Sequence, residues 1–275
     1  MAIQSGTGAS SGYFVRLAMV VSTWAAQLVR SPSQPHRAEA ARRLTRNVLT
    51  TAVIAAMLIV TLMIWVDAWE IAQMPPRVTA GLWPFRILTD FGKDTNVLLV
   101  IIVLLVAVAL AAPVARGSLQ RRLLSLGSRL QFVLFAISVP LVCGEILKWI
   151  VGRGRPFVSG RADPFNFVPF TGKEAYFSLP SAHAITAFAL AFAVAAIWPR
   201  MRGLMIAYAL LIAVTRLVLL AHHPSDVVAG ATIGILGAMC VRYWFAARGL
   251  GFAIGGHGVI TPGTPKGVAA GPSAS

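Results

Sequence analysis

The sequence predicts an all-α protein, a bundle of six transmembrane helices with both termini cytoplasmic. Three observations carry that expectation. First, 57% of the 275 residues are hydrophobic and only 12% charged, with a mean hydropathy of +0.75, whereas a soluble domain carries about a quarter charged residues. Second, six apolar runs approach the roughly 20 residues a spanning helix needs: 47–66, 97–115, 130–150, 182–198, 204–221 and 227–246. Third, the basic residues are partitioned. With six spans both termini share one side, and the segments on that side hold 15 of the 24 Lys and Arg against one acid, Glu39. The opposite side and its helix ends hold nine against eight acids. The positive-inside rule then places the termini in the cytoplasm and segments 67–96, 151–181 and 222–226 outside.

Taken in order, residues 1–46 form a cytoplasmic N-terminal segment. Tyr13 to Val29 is apolar but interrupted by Arg16 and Gln27, and it lacks the basic start of a signal peptide. It reads as a helix lying in the interface. Ser31-Pro32-Ser33-Gln34-Pro35 breaks it, and Arg42, Arg43 and Arg46 anchor the first span. The bundle proper occupies 47–246. The outer loop 67–96, with Trp65, Trp69, Trp83 and Phe85 in and beside it, reads either as a lipid-contacting lip or as ordinary interfacial anchoring. From 247 to 275 the chain is rich in Gly, Ala, Pro and Ser and reads as a disordered cytoplasmic tail.

The formal charge of +15 does not mark a nucleic-acid binder, because the basic residues are dispersed between apolar spans without aromatic interleaving. Cys143 and Cys240 both fall inside spans, which argues against a disulfide framework or a thiolate metal site and for packing roles. No Walker loop or zincin helix is present, and Gly-Arg-Gly-Arg-Pro has too few glycines for a dinucleotide fingerprint.

Three polar stretches remain, all at outer helix ends. Lys148, Arg155 and Pro156 close the third span, and a lysine point charge beside a planar arginine fork suits phosphate; attraction to anionic headgroups is the plainer reading. Pro180-Ser181-Ala182-His183 opens the fourth span. Its free N–H groups favour an anion, and His183, about one turn in, is placed to donate a proton to a leaving oxygen. Thr215-Arg216 and His222-His223-Pro224-Ser225-Asp226 join the fifth and sixth spans. Pro224 suits a first helical position, His223 the N-cap, and Asp226 the third position, from which its carboxylate is expected to reach back toward His222. By itself this stretch is equally a snorkelling arginine and a capped helix start. Together the three supply clamps for phosphate oxygens, an orientable nucleophile and an acid.

In that order, Lys148-x6-Arg155-Pro156, Pro180-Ser181-Ala182-His183 and Thr215-Arg216-x5-His222-x3-Asp226 resemble the three-part signature of the type-2 phosphatidic acid phosphatase family, which shares its site with vanadium haloperoxidases. Ala182 stands where the family usually has Gly, and Thr215 where it usually has Ser. The resemblance implies that His222 attacks phosphorus to give a phosphohistidine, that Asp226 holds its ring, and that His183 protonates the leaving oxygen and then activates water. It implies phosphate binding by Lys148, Arg155, Ser181 and Arg216. Arg153 and His223 match no motif position and read as a basic rim and a loop residue; Glu145, one turn from Lys148, is placed to pair with it. No cofactor or metal is implied. The expected partners are the bilayer and a lipid phosphate: a polyprenyl diphosphate, phosphatidylglycerol phosphate, phosphatidate or a lipid A phosphate. Phosphotransfer through the same intermediate stays open, as does transport of an anionic lipid or phosphate. The resemblance and the short cytoplasm-positive loops place the chain in a bacterial inner membrane with its site on the outer face. The sequence does not address oligomeric state.

Overall fold

The computed structural model describes residues 12–76, 78–156, 158 and 163–263. It is all-α apart from one short hairpin. The helices run α1 Tyr13–Val29, α2 Arg37–Trp65, α3 Asp67–Gln73, α4 Trp83–Asp90, α5 Asp94–Ala111, α6 Gly117–Val151, α7 Ala182–Ile197, α8 Arg202–Val218 and α9 Pro224–Ala247. Each of the six apolar runs is helical. Among the described residues five stretches are long and apolar enough to cross a membrane: Arg37–Trp65, Ala80–Ala111, Gly117–Val151, Pro199–Val218 and Pro224–Ala247. Helix α7, at 16 residues, is shorter, about 24 Å against a hydrocarbon layer of about 30 Å. It is also the most enclosed, with Ala184, Ile185, Ala187, Ala189 and Ala193 fully buried among α6, α8 and α9. An inner helix sheltered by protein at both ends need not match the bilayer.

Close approach explains the α7–α9 contact. A Cβ added to Gly230 would collide with the Ser181 carbonyl, and one added to Gly234 with the Ile185 carbonyl. Two glycines four residues apart thus let the α9 backbone lie directly on the start of α7. Helix α6 ends at Gly152, whose φ of 57° is left-handed and whose N–H caps the Lys148 carbonyl at 2.9 Å. The Val168 carbonyl lies where a Cβ would be, so only glycine turns the chain here into the connection between α6 and α7, the cap of α6. Helix α8 ends differently: Leu220 takes the left-handed position at φ 48°, with Leu220 N–H on Leu217 O and Ala221 N–H on Arg216 O.

At one end of the bundle the C-terminus of α2 meets the termini of α6 and α9, through Asp67, Arg153 and Ser225. The opposite end holds the first residues of α2, the last of α9 and the hairpin β1 Phe252–Ile254 with β2 Ile260–Pro262. Ser33 N–H bonds Ala247 O there, and the Tyr243 hydroxyl bonds Arg37 O. The hairpin corrects the reading of 247–275 as a disordered tail. Phe252 and Ile254 are buried, Phe252 packs edge-on to Phe132 at 4.8 Å, and Arg242 donates to the Ile260 carbonyl. Flanking glycines dilute this two-residue apolar alternation in the sequence. Residues 264–275, and 1–11 at the other terminus, lie outside the described residues.

Two further expectations change. Cys143 and Cys240 are exposed on the helix faces instead of packed, and loop 67–96 contributes two helices. Trp65, Trp69 and Trp83 are indeed exposed.

Candidate active site

All seven candidate residues gather at the bundle end formed by α6, α7, α8 and α9. Lys148 comes from the last turn of α6, Arg155 from the cap, Ser181 and His183 from the start of α7, Arg216 from the last turn of α8, and His222 and Asp226 from the α8–α9 junction. Arg216, Lys148 and Arg155 all act electrostatically on both His183 and His222.

Each cationic member has a polar partner. The Lys148 ammonium meets the half-exposed Glu145 carboxylate at 2.5 Å, as the spacing predicted. Arg155 meets the exposed Glu174 at 3.3 Å. Arg216 donates to the Thr89 hydroxyl at 2.6 Å. The Ser181 hydroxyl is buried at the N-cap of α7 with no protein partner among the described residues. Ala182 is the first residue of α7 and is not among the positive-φ residues, so the alanine sits there without backbone strain.

His222 is buried, and its Nδ1 lies 2.8 Å from the Ser178 carbonyl. A carbonyl only accepts, so this bond assigns the proton to Nδ1 and leaves the Nε2 lone pair as the reactive one. Burial and the nearby Arg216 guanidinium push the imidazole well below its ordinary value, with Asp226 opposing in part; the ring is neutral at neutral pH.

Here the structure corrects the expected pairing. Asp226 does not hydrogen-bond His222: the closest approach, to Nδ1, is 3.9 Å. Its Oδ2 accepts from the Ser178 hydroxyl at 2.6 Å and the His223 N–H at 2.9 Å, and lies 3.0 Å from His223 Nδ1. Its Oδ1 accepts from Arg153 at 2.5 Å. The predicted capping box is present, but N-cap geometry directs the carboxylate to the adjacent N–H, one residue short of His222. Asp226 therefore touches His222 through Ser178, which offers the ring its carbonyl and the carboxylate its hydroxyl.

Arg153 and His223, read as rim and loop residues, are fully buried. Arg153 donates to Asp226, to the Ser225 hydroxyl at 2.6 Å, to Asp67 at 2.8 Å and to the Pro164 carbonyl. Asp67 in turn accepts from the Ser225 N–H at 3.0 Å and hydroxyl at 2.5 Å. Beside it Glu70 is buried, and burial with the Asp67 carboxylate raises it to about 7. Sequence reasoning missed Asp67, Thr89, Lys93 and Ser178. Asp67 left a signal, an acid flush with the end of an apolar run; Ser178 stands two residues before the second stretch; Thr89 left none. Lys93, at the N-cap of α5, adds a fourth cation acting on His183. No group of three or more potential metal ligands occurs among the described residues.

Residues 129–250 match the profile of the PAP2 superfamily. The chain is 35% identical over 127 residues to a lipid A 1-phosphatase of Rhizobium johnstonii, covering 46% of this chain and 52% of the relative. It is 37% identical over 114 residues to a lipid A 1-phosphatase of Rhizobium etli, covering 42% and 49%. It thus spans about half the length of these two relatives. It is also 28% identical over 168 residues to the bacitracin transport permease protein BcrC of Bacillus licheniformis, covering 60% and 79%. No solved structure matches the chain.

Proposed function

Starting from the premise that residues 129–250 belong to the PAP2 superfamily, we propose that this chain is an integral-membrane lipid phosphatase working through a phosphohistidine. His222 Nε2 attacks phosphorus, and the lipid oxygen leaves with a proton that His183 takes up from solvent as the phosphate anion binds among the cations. His183, now neutral, takes a proton from water, whose oxygen attacks the phosphohistidine and returns His222. Lys148, Arg155, Arg216 and the Ser181 hydroxyl hold the three non-bridging oxygens and the charge that builds on them. Asp226 steadies the site through Ser178 and His223. The observation that carries this reading is the convergence of three cations on two histidines, one with its Nε2 lone pair left free by the Nδ1 bond to Ser178.

We read the membrane arrangement as six spans, with α7 the short inner one, cytoplasmic termini and a site facing out of a bacterial inner membrane. The basic partition supports it, because nearly all uncompensated Lys and Arg lie at the bundle end opposite the site. Two relatives named lipid A 1-phosphatase favour a lipid A phosphate as the first substrate to try, ahead of a polyprenyl diphosphate, phosphatidylglycerol phosphate or phosphatidate. The permease name of the third relative raises transport. Against it, the middles of the six apolar runs, 50–64, 97–111, 132–144, 186–197, 204–213 and 228–241, hold no Asp, Glu, Lys or Arg, which gives no charged path through the spans.

The test is phosphate release from those four lipids by detergent-purified protein in EDTA, with His222→Ala alongside. Chelation-resistant release that vanishes in the variant is the expected result. Equal release by both proteins removes His222 as nucleophile. Phosphate moved to an added acceptor lipid, with none released, makes the chain a phosphotransferase.

A further inference from the structure

An open groove of about 550 Å³ lies between α4, α5 and α7, within the 300–1,000 Å³ range of small-ligand sites. Its lining is apolar, with Val97, Val100, Ile101 and Leu190 in it, apart from Asp90 and Asn96. Two helical registers connect it to the site. On α7, Leu190 is seven residues from His183 and so shares its face two turns deeper. On α5, Val97 and Ile101 are four and eight residues from Lys93, on one stripe; Lys93 is a cation acting on His183. The groove therefore begins beside the phosphate end and descends along apolar side chains.

The turn that brings Lys93 to the site is pinned. Thr89 accepts from Arg216, the Phe91 carbonyl accepts from the Tyr208 hydroxyl at 2.8 Å, and Asn96 donates to the Asp90 carbonyl at 3.0 Å. Gly92 lies so close to Ile212 that an added Cβ would strike it. Asp90 and Asn96 apart, the groove wall is hydrocarbon, so it matches an aliphatic chain whose anionic head lies outside the groove, among the cations of the site.

We propose that this groove receives the hydrocarbon chain of the lipid whose phosphate occupies the site, and that it sets preference for chain length. The inference rests on the phosphatase reading above. Burial of each methylene favours binding by about fourfold, so kcat/KM on a series of alkyl monophosphates from hexyl to hexadecyl rises along the series and levels off once the groove is full. Val100→Trp and Leu190→Trp narrow it. They are expected to cut kcat/KM for hexadecyl phosphate at least about tenfold while hexyl phosphate changes less than about twofold. Leu99→Trp, one position off the groove, changes neither. Equal loss on both substrates overturns the proposal. Hexyl phosphate turnover that is the same in wild type and His222→Ala removes the phosphatase reading instead, a separate outcome. Should the tryptophan variants not fold, wild-type protein is labelled with hexadecyl phosphate carrying a chain diazirine. Crosslinks at 97–101 and Leu190 that the phosphate-free alcohol does not give support the groove. Crosslinks elsewhere, or equal labelling by the alcohol, overturn it.

Discussion

Arg153 and Arg155 stand two residues apart in the cap over α6, yet they belong to different layers of the site. Arg153 is fully buried, and its guanidinium is used up by Asp67, Asp226, Ser225 and the Pro164 carbonyl. Arg155 is partly open and meets one exposed acid. The same division runs through the whole site. Lys148 and Arg155 pair with Glu145 and Glu174, acids that are themselves open to solvent, Arg216 bonds Thr89, and the Ser181 hydroxyl has no protein partner among the described residues. Arg153, Asp67, Asp226, Ser225 and Ser178 satisfy one another. The lower layer fixes geometry; the upper layer is the proposed phosphate site. A buried ion pair adds little net stability over an apolar substitute, but removing one partner is costly, so the lower layer is intolerant of change.

Several variants would sharpen or break that division. The largest effect belongs to His222→Ala, expected to lower turnover by about 10³-fold or more while shifting thermal unfolding less than Arg153→Met does. Next is Arg153→Met, which leaves Asp67 and Asp226 buried without their cation. It should cost about 3–5 kcal/mol in detergent unfolding, whereas Arg155→Ala stays within about 1 kcal/mol and loses activity instead. If Arg153→Met unfolds at the wild-type temperature, the two layers are not distinct. Arg216→Ala is expected to slow kcat about 10²–10³-fold, read in single-turnover assays, with a small effect on unfolding.

The pH dependence separates the layers more gently. Glu70 is raised from 4.5 to about 7, so its contribution to stability is complete below 4.5 and is lost as pH rises through 7. Relative to Glu70→Gln, wild-type Tm should fall across that window. His222 is shifted the other way, below 6.5: its contribution is intact above 6.5 and is lost as pH falls. With the neutral ring as the proposed nucleophile, the acid limb of kcat/KM should lie below 6.5. Smallest of all is Ala182→Gly, expected within about threefold in kcat/KM, because Ala182 already sits unstrained at a helix start.

The sequence made the upper layer legible and left most of the lower one hidden. Lys148, Arg155, Ser181, His183, Arg216 and His222 sit at the ends of apolar runs, where a charge or a cap residue is conspicuous against hydrocarbon. Asp226 was found for the right reason, a capping box, but assigned the wrong neighbour. The box governs backbone groups three residues back, while the His222 ring turns to Ser178, 44 residues away. Arg153 looked like one more surface base, because nothing local says that Asp67, 86 residues earlier, ends beside it.

Local physics, then, was decided by the sequence alone: apolar runs became helices, polar stretches became their ends, and proline, serine and glycine set where each helix starts or stops. Periodicity, capping and hydrophobic run length act over a few residues, so they can be read along the chain. The tertiary structure alone decided which ends meet. Asp67 bonds Ser225 across 158 residues and Arg216 bonds Thr89 across 127. Such partnerships depend on how helices pack, as where Gly230 and Gly234 let α9 settle on α7. The hairpin at 252–262 folds for the same reason: its few apolar side chains find Phe132 and Phe245 only once the bundle has formed.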